Sequence, residues 1–229
     1  MTHRRKHNVR LQSGFSLLES LLVVVILLIV LGIATSGLVQ MTRRSAADQG
    51  RMDTNQMARQ FMDQVTTDLH QVGYPSAYMY DPGYSKANPD EVAVGFIALT
   101  ANTAEFEADV DGSGTVSHVY LQLLGSDGLP IAGGTGQCPC TFQRGVLAKK
   151  DVGGTKPPYY TEVNNVLNTD IFSADDHSGT SVGFPITDFT NIRVVRLKLN
   201  LQTTVQEVDG SYPTITMQSA AKIMNLKLN

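Results

Sequence analysis

The chain has 229 residues, a formal net charge of −3 and only 17% charged residues, which fits one domain or one domain with an appendage. The low charge excludes a highly charged disordered chain, and a pI of 5.9 argues against a nucleic-acid binder. Twenty glycines and nine prolines are too few for collagen or a low-complexity linker. Residues 1–14, MTHRRKHNVRLQSG, carry Arg4, Arg5, Lys6 and Arg10 without an acid. The remaining 14 basic residues face 21 acids, so a basic tip precedes a body of net charge −7. This asymmetry predicts a targeting signal followed by an exported body.

Leu21 to Val39 is a run of nineteen residues with neither charge nor proline. As a helix it spans roughly 28 Å, close to the ~30 Å hydrocarbon core of a bilayer. The run is longer than the apolar region of a signal peptide, and no small-x-small cleavage site with polar flanks follows it. Four preceding cations predict a cytoplasmic amino terminus, with the carboxyl-terminal body on the far side of the membrane. Glu19 stands at the entrance to the run, in FSLLESLLVVV. A carboxylate at the centre of a spanning helix costs about 2.5–3.5 kcal/mol. The physics leaves two readings open: Glu19 reaches the interface, or it is held for a cationic partner in an assembled state. The free amine of a chain beginning at Phe15 supplies such a cation.

Gly14-Phe15-Ser16-Leu17-Leu18-Glu19, behind a short basic leader and ahead of an apolar run, resembles the processing motif of type IV prepilins. The resemblance implies that a membrane peptidase cuts between Gly14 and Phe15, that Phe15 is then N-methylated, and that Glu19 guides assembly. It implies a structural, non-enzymatic role. The partners it implies are other pilin subunits, a prepilin peptidase and an inner-membrane assembly platform. The subunit would sit in the inner membrane with a periplasmic head, then in a pilus or periplasmic pseudopilus. Within a bundle of apolar helices, the new amine can neutralise a neighbour's Glu19. A buried pair of this kind sets register better than it adds stability.

From Arg43 the chain turns polar but keeps a helical period. Met57, Phe61, Val65 and Leu69 recur every four residues, and Met62 and Val72 widen the stripe into a core-facing surface. No proline occurs between Phe15 and Val72; Gly73 suits a position just past a helix end, and Pro75 follows. These signals divide the chain into a leader (1–14), a spanning segment (15–42), an amphipathic helix (43–73) and a head (74–229). Major pilins often carry a proline near the end of the span, and this chain has none there. Gly32, Ala34, Ser36 and Gly37 form a small-residue patch, and a kink or melted stretch would have to come from Gly32 and Gly37.

Strands are predicted over residues 91–100, 116–124 and 191–205, with one or two more in 214–228. Turn signals stand at Asp127-Gly128, Gly133-Gly134 and Asp209-Gly210. Residues 125–190 are rich in Gly, Pro, Asp and Asn and read as an irregular insertion. The expected fold class is α+β: a long amino-terminal helix packed on an antiparallel sheet, the pilin fold. QVGYP after the helix, ADVDGSG before VYLQL, and a final short strand with asparagine resemble minor pilins of the PilW type. J-type pseudopilins of type II secretion have a similar layout. A pilus-tip adhesin that binds through 125–190 is a further alternative.

Three other motifs carry candidate chemistry. Asp109, Asp111, Ser113 and Thr115 follow the first half of an EF-hand loop, with side-chain oxygens at positions 1, 3 and 5 and a backbone carbonyl at 7 for calcium. Tyr120 stands where the twelfth position needs a bidentate glutamate, so an acidic β-turn is the competing reading. Cys138-Pro139-Cys140 is the only cysteine pair; a local strained disulfide, free thiols, and intermolecular or metal use all stay open. Gly179 to Gly183 fits G-x-S-x-G around Ser181. The hydrolase elbow needs a strand before the serine and a helix after it, and neither flank reads that way. His70, His118 and His177 are scattered and read as solvent-facing or hydrogen-bonded. Apart from calcium at the acidic loop, no cofactor is expected.

Overall fold

The computed structural model describes residues 16–131, 136–154, 157–186, 188–207 and 209–224. Helix α1 (Leu17–His70) opens the described chain. Its Leu-, Val- and Ile-rich first half has no polar face, and in lipid a helix satisfies all of its backbone groups internally. Residues through Ser45 form one compact unit, and every described side chain there is exposed. The helix is long and apolar enough to cross a membrane, with a mean hydropathy of 3.0 over its most apolar 18-residue window.

The second unit begins at Ala46 and holds the remainder of α1 and a mixed set of short helices and strands. Within it, Ala58, Phe61, Met62, Val65 and Leu69 of α1 are buried. The stripe therefore runs close to the expected residues, but Met57 stays 41% exposed and Ala58 takes the inward position. The helix ends at His70. Gly73 adopts a φ of 74° and its N–H donates to the Glu107 carbonyl at 2.9 Å, which turns the chain onto the sheet. A short helix, α2 (Pro82–Ala87), and three single 3₁₀ turns punctuate the loops.

Nine strands are described, and every pairing between them is antiparallel. They are β1 (Phe96–Leu99), β2 (Thr103–Ala108), β3 (Ser117–Leu124), β4 (Cys140–Ala148), β5 (Tyr159–Val166), β6 (Phe172–Asp176), β7 (Ser181–Val182), β8 (Ile192–Gln202) and β9 (Thr214–Lys222). The sheet order is β1-β2-β3-β4-β5-β8-β6-β7, with β9 on the other edge of β8. Alternation defines the two faces. Ala104, Phe106, Val119, Leu121, Leu123, Phe142, Leu197 and Leu199 point inward to the core with the α1 stripe. Phe61 meets Phe142 edge-on, with ring centroids 4.8 Å apart. The α+β, pilin-like arrangement expected from the sequence is the one observed: a long amino-terminal helix whose part within the second unit packs on an antiparallel sheet.

Two expectations need correction. Residues 125–190 are not an irregular insertion, because β4, β5, β6 and β7 lie within them and β4 joins β3 to β5. Most of their described Gly, Pro and Asp sit in the turns, Gly145, Asn164, Asn165, Asp175 and Asp176 lie within strands, and Phe142, Val163, Val166, Phe172 and Ala174 fill the core. The strand expected over 91–100 shortens to β1, behind a 3₁₀ turn at Pro89–Glu91. Side chains take the backbone groups that a ladder would use: Lys149 Nζ donates to the Val92 carbonyl at 2.8 Å, and the Val94 N–H donates to Glu107 Oε2 at 2.9 Å. Segments 116–124 and 191–205 form β3 and β8, and 214–228 supplies β9. The end of that last segment, like the Gly133-Gly134 turn, lies outside the described residues.

Candidate functional site

The candidate assembly site lies at the start of α1. Ser16 precedes the helix, and its side-chain oxygen accepts from the Leu18 N–H at 3.3 Å while its carbonyl accepts from Glu19 and Ser20 N–H groups. Glu19 falls in the first turn, where free N–H groups favour a negative charge. Between Leu11 and Thr42 it is the only ionisable side chain. Its carboxylate is exposed, and in a bilayer it would need either the interface or a cation. Gly14 and Phe15, the residues expected at the cleavage and methylation positions, lie outside the described residues.

The acidic loop sits between β2 and β3 and folds onto its own backbone. Asp109 Oδ1 accepts from the Ser113 N–H at 3.0 Å, and Oδ2 accepts from the Gly114 N–H at 2.9 Å. Asp111 Oδ1 also accepts from Ser113 N–H, and Ser113 Oγ lies 2.7 Å from Thr115 Oγ1. Hydrogen bonds from Ser113 lower the Asp111 pKa below its ordinary value. Positions 1, 3 and 5 of the calcium pattern are therefore neighbours, but their oxygens already serve amides and hydroxyls.

Cys138 and Cys140 are joined by a disulfide with Cα atoms 4.4 Å apart, at the entry to β4. Ser181 opens β7, a two-residue strand paired with β6, and a loop rather than a helix follows it. This is not the strand–turn–helix that a nucleophile elbow needs. The three histidines are not brought together. His70 Nδ1 bonds the Lys222 carbonyl at 3.0 Å, and His118 is buried against Tyr120. His177 lies in the turn between β6 and β7. Among the described residues no cluster of three His, Cys, Asp or Glu is placed to hold a metal.

Two buried ion pairs were not legible in the sequence. Asp68 of α1, 1% exposed, accepts from Arg144 Nε of β4 at 2.7 Å and from Gln64 Nε2 at 2.9 Å. Glu107 of β2 accepts from Lys149 Nζ at 2.7 Å as well as from Val94. Both pairs join elements far apart in sequence. The one available signal was Asp68 itself, an acid one residue before Leu69 in the apolar stripe. Buried charges so paired fix geometry more than they add stability.

Residues 9–35 match the family described as the prokaryotic N-terminal methylation motif. The matched stretch contains Gly14, Phe15, Glu19 and the apolar run from Leu21 to Thr35. No curated protein and no solved structure matches the chain. The motif and the apolar helix fit a membrane-anchored, type IV pilin-like or pseudopilin subunit. That motif marks a structural rather than a catalytic family, whose members are processed by prepilin peptidase and assemble with other pilins.

Proposed function

We propose that this chain is a minor structural subunit of a type IV pilus, nearest in layout to the PilW type. Prepilin peptidase cuts it between Gly14 and Phe15, Phe15 is N-methylated, and the apolar half of α1 enters the filament with Glu19 facing the amine of a neighbouring chain. Before assembly the leader is cytoplasmic and the head periplasmic. The observation that carries this reading is the methylation motif over residues 9–35, in register with a single carboxylate at the mouth of an apolar helix. Physics supports it: burying that carboxylate in lipid is costly, and a neighbouring amine relieves the cost. The finer, minor-pilin reading draws on the missing proline in the span and on the order of segments after the helix.

Mass spectrometry of the mature protein tests the first part. A mass lacking residues 1–14 and carrying one added methyl is expected; an intact amino terminus overturns the reading. Co-isolation with pilus filaments tests the second part. Recovery with a secretion apparatus instead would assign the chain to the J-type pseudopilins.

A further inference from the structure

The outward face of the sheet carries a feature that helix assembly does not use. Glu105 of β2 lies directly opposite Tyr120 of β3, Tyr120 opposite Gly145 of β4, and Gly145 opposite Tyr159 of β5. Four outward positions thus form one row across four strands. Gly145 leaves a hollow in that row, and Tyr159 leans into it. A Cβ placed on Gly145 would stand 3.0 Å from two ring carbons of Tyr159. The rings of Tyr120 and Tyr159 therefore meet across β4, with centroids 6.3 Å apart and planes at 71°.

Two rings near right angles make two walls of a box, and Glu105 closes a third side. Thr103, Gln122 and the backbone at Ala104 and Leu121 complete a cleft of about 240 Å³. Burial, and after it the Glu105 carboxylate, raises the pKa of both phenols, which keeps the rings neutral and places the carboxylate near both. Among the described residues no lysine or arginine pairs with Glu105; its one basic neighbour is His118. His118 Nε2 lies 2.9 Å from Glu105 Oε1 but outside hydrogen-bonding geometry, so this buried nitrogen has no partner. The imidazole stacks flat on Tyr120 at 4.2 Å and backs that wall of the cleft.

We propose that this cleft binds a small quaternary ammonium compound of the choline type, its trimethylammonium group set between Tyr120 and Tyr159 and beside Glu105. Aromatic faces attract cations through the negative potential above the ring. A primary ammonium needs three hydrogen-bond acceptors around it, whereas a quaternary nitrogen needs none. The cleft offers one carboxylate and two ring faces, while the Thr103 hydroxyl and the Gln122 amide on its wall already bond Thr100 and Gln143, which suits the second kind. An anion would meet Glu105 and two negative ring faces, and a neutral apolar ligand would leave the carboxylate without a counter-charge. The volume suits a compound smaller than drug size.

Titration calorimetry of the full chain in a maltoside detergent tests this, with choline and with its neutral isostere 3,3-dimethylbutan-1-ol as probes. Choline should bind saturably, and the alcohol, of the same shape without charge, about tenfold more weakly or not at all. Glu105→Gln should weaken choline about tenfold, and Gly145→Ala, which displaces Tyr159, should weaken it similarly. Unchanged far-UV circular dichroism and melting temperature would show that each variant is folded; a variant that fails this check is replaced by Tyr159→Leu, with the same expectation. No saturable heat with choline up to about 50 mM, equal binding of both probes, or unchanged affinity in a folded Glu105→Gln variant overturns the proposal. Processing at Gly14 and filament entry have separate readouts, so failure of either reading leaves the other standing.

Discussion

Arg144 Nε donates to Asp68 Oδ2 at 2.7 Å, tying helix α1 to strand β4 through a carboxylate that is 1% exposed. The guanidinium retains 18% side-chain exposure, so the two partners are not equally desolvated. Removing the acid alone leaves a cation facing the core. Asp68→Ala should therefore destabilise the head by about 3 kcal/mol, while Asp68→Leu combined with Arg144→Met should return to within about 1 kcal/mol of the parent. Denaturant unfolding of the detergent-solubilised chain measures both. Additive losses in the double variant would show that the two side chains act independently.

The same pair predicts a pH dependence. Burial raises the Asp68 pKa above the ordinary 3.8, against the pull of Arg144 and Gln64. The folded head then holds this proton more tightly than the unfolded chain does. By linkage, the stability contributed by Asp68 is fullest below pH 3.8 and declines as pH rises through the raised value. Asp68→Asn lacks this titration. The stability of the parent minus that of Asp68→Asn should fall as pH climbs from below 3.8 into the raised range. A difference that grows with pH would contradict the assigned direction.

The loop between β8 and β9 lies against α1 where the helix turns polar. A Cβ on Gly50 would stand 2.8 Å from Val205 Cγ2 and 3.0 Å from Val205 Cβ, and the adjacent Arg51 pairs with Glu207. Valine is short and branched, so it cannot swing aside cheaply. Gly50→Ala should lower stability in the parent, despite the gain of about 1 kcal/mol that alanine brings to a helix interior. In a Val205→Gly background, where the obstructing side chain is gone, the same change should raise stability by up to that ~1 kcal/mol. Melting temperatures of the parent and the three variants decide it, and a stabilising Gly50→Ala in the parent would show that the loop is not seated on the helix.

What the sequence disclosed follows from the range of each signal. The period-four stripe from Phe61 to Leu69 and the alternation in 116–124 and 191–205 are local, and α1, β3 and β8 follow them. Met57 and Ala58 exchange roles because a period of four drifts against the 3.6 of a helix. Strands β4 to β7 were masked by composition, since Thr, Gln, Asn, Ser and Asp occupy their outward positions among turn residues. The contacts that shape the head, Asp68 with Arg144 and Glu107 with Lys149, span 76 and 42 positions, and no local pattern encodes them. The candidate assembly site was legible for the opposite reason: leader, aromatic, acid and apolar run lie within one short stretch.

The disulfide encloses a single residue, Pro139. A cross-link stabilises mainly by restricting the unfolded chain, and it restricts little when the enclosed loop is minimal. The chain-entropy relation gives under about 2 kcal/mol for such a loop. Reduction under native conditions should therefore lower the melting temperature by less than about 8 °C and leave the sheet intact. Loss of the folded head on reduction would mean that Cys140, 1% exposed, anchors β4 through the bond itself rather than through its packing.

Glu19 carries the sharpest test of assembly. It is separated from the next charged side chain, Arg43, by an uninterrupted apolar and uncharged stretch of helix. In a lone chain its carboxylate can stay near the interface at the helix start, so insertion and cutting do not require a partner. In a bundle of such helices the interface is displaced by neighbouring apolar surfaces, and the charge needs a cation at one height. Glu19→Ala should thus leave processing at Gly14 largely unchanged while lowering recovery in sheared filaments about tenfold or more. Glu19→Gln separates charge from shape, because it keeps the length and a hydrogen-bonding tip. If the amine pairing is the operative contact, Gln should fail nearly as badly as Ala. Filament entry at parental levels with Gln would instead assign Glu19 a role in packing, and entry at parental levels with Ala would remove it from assembly altogether.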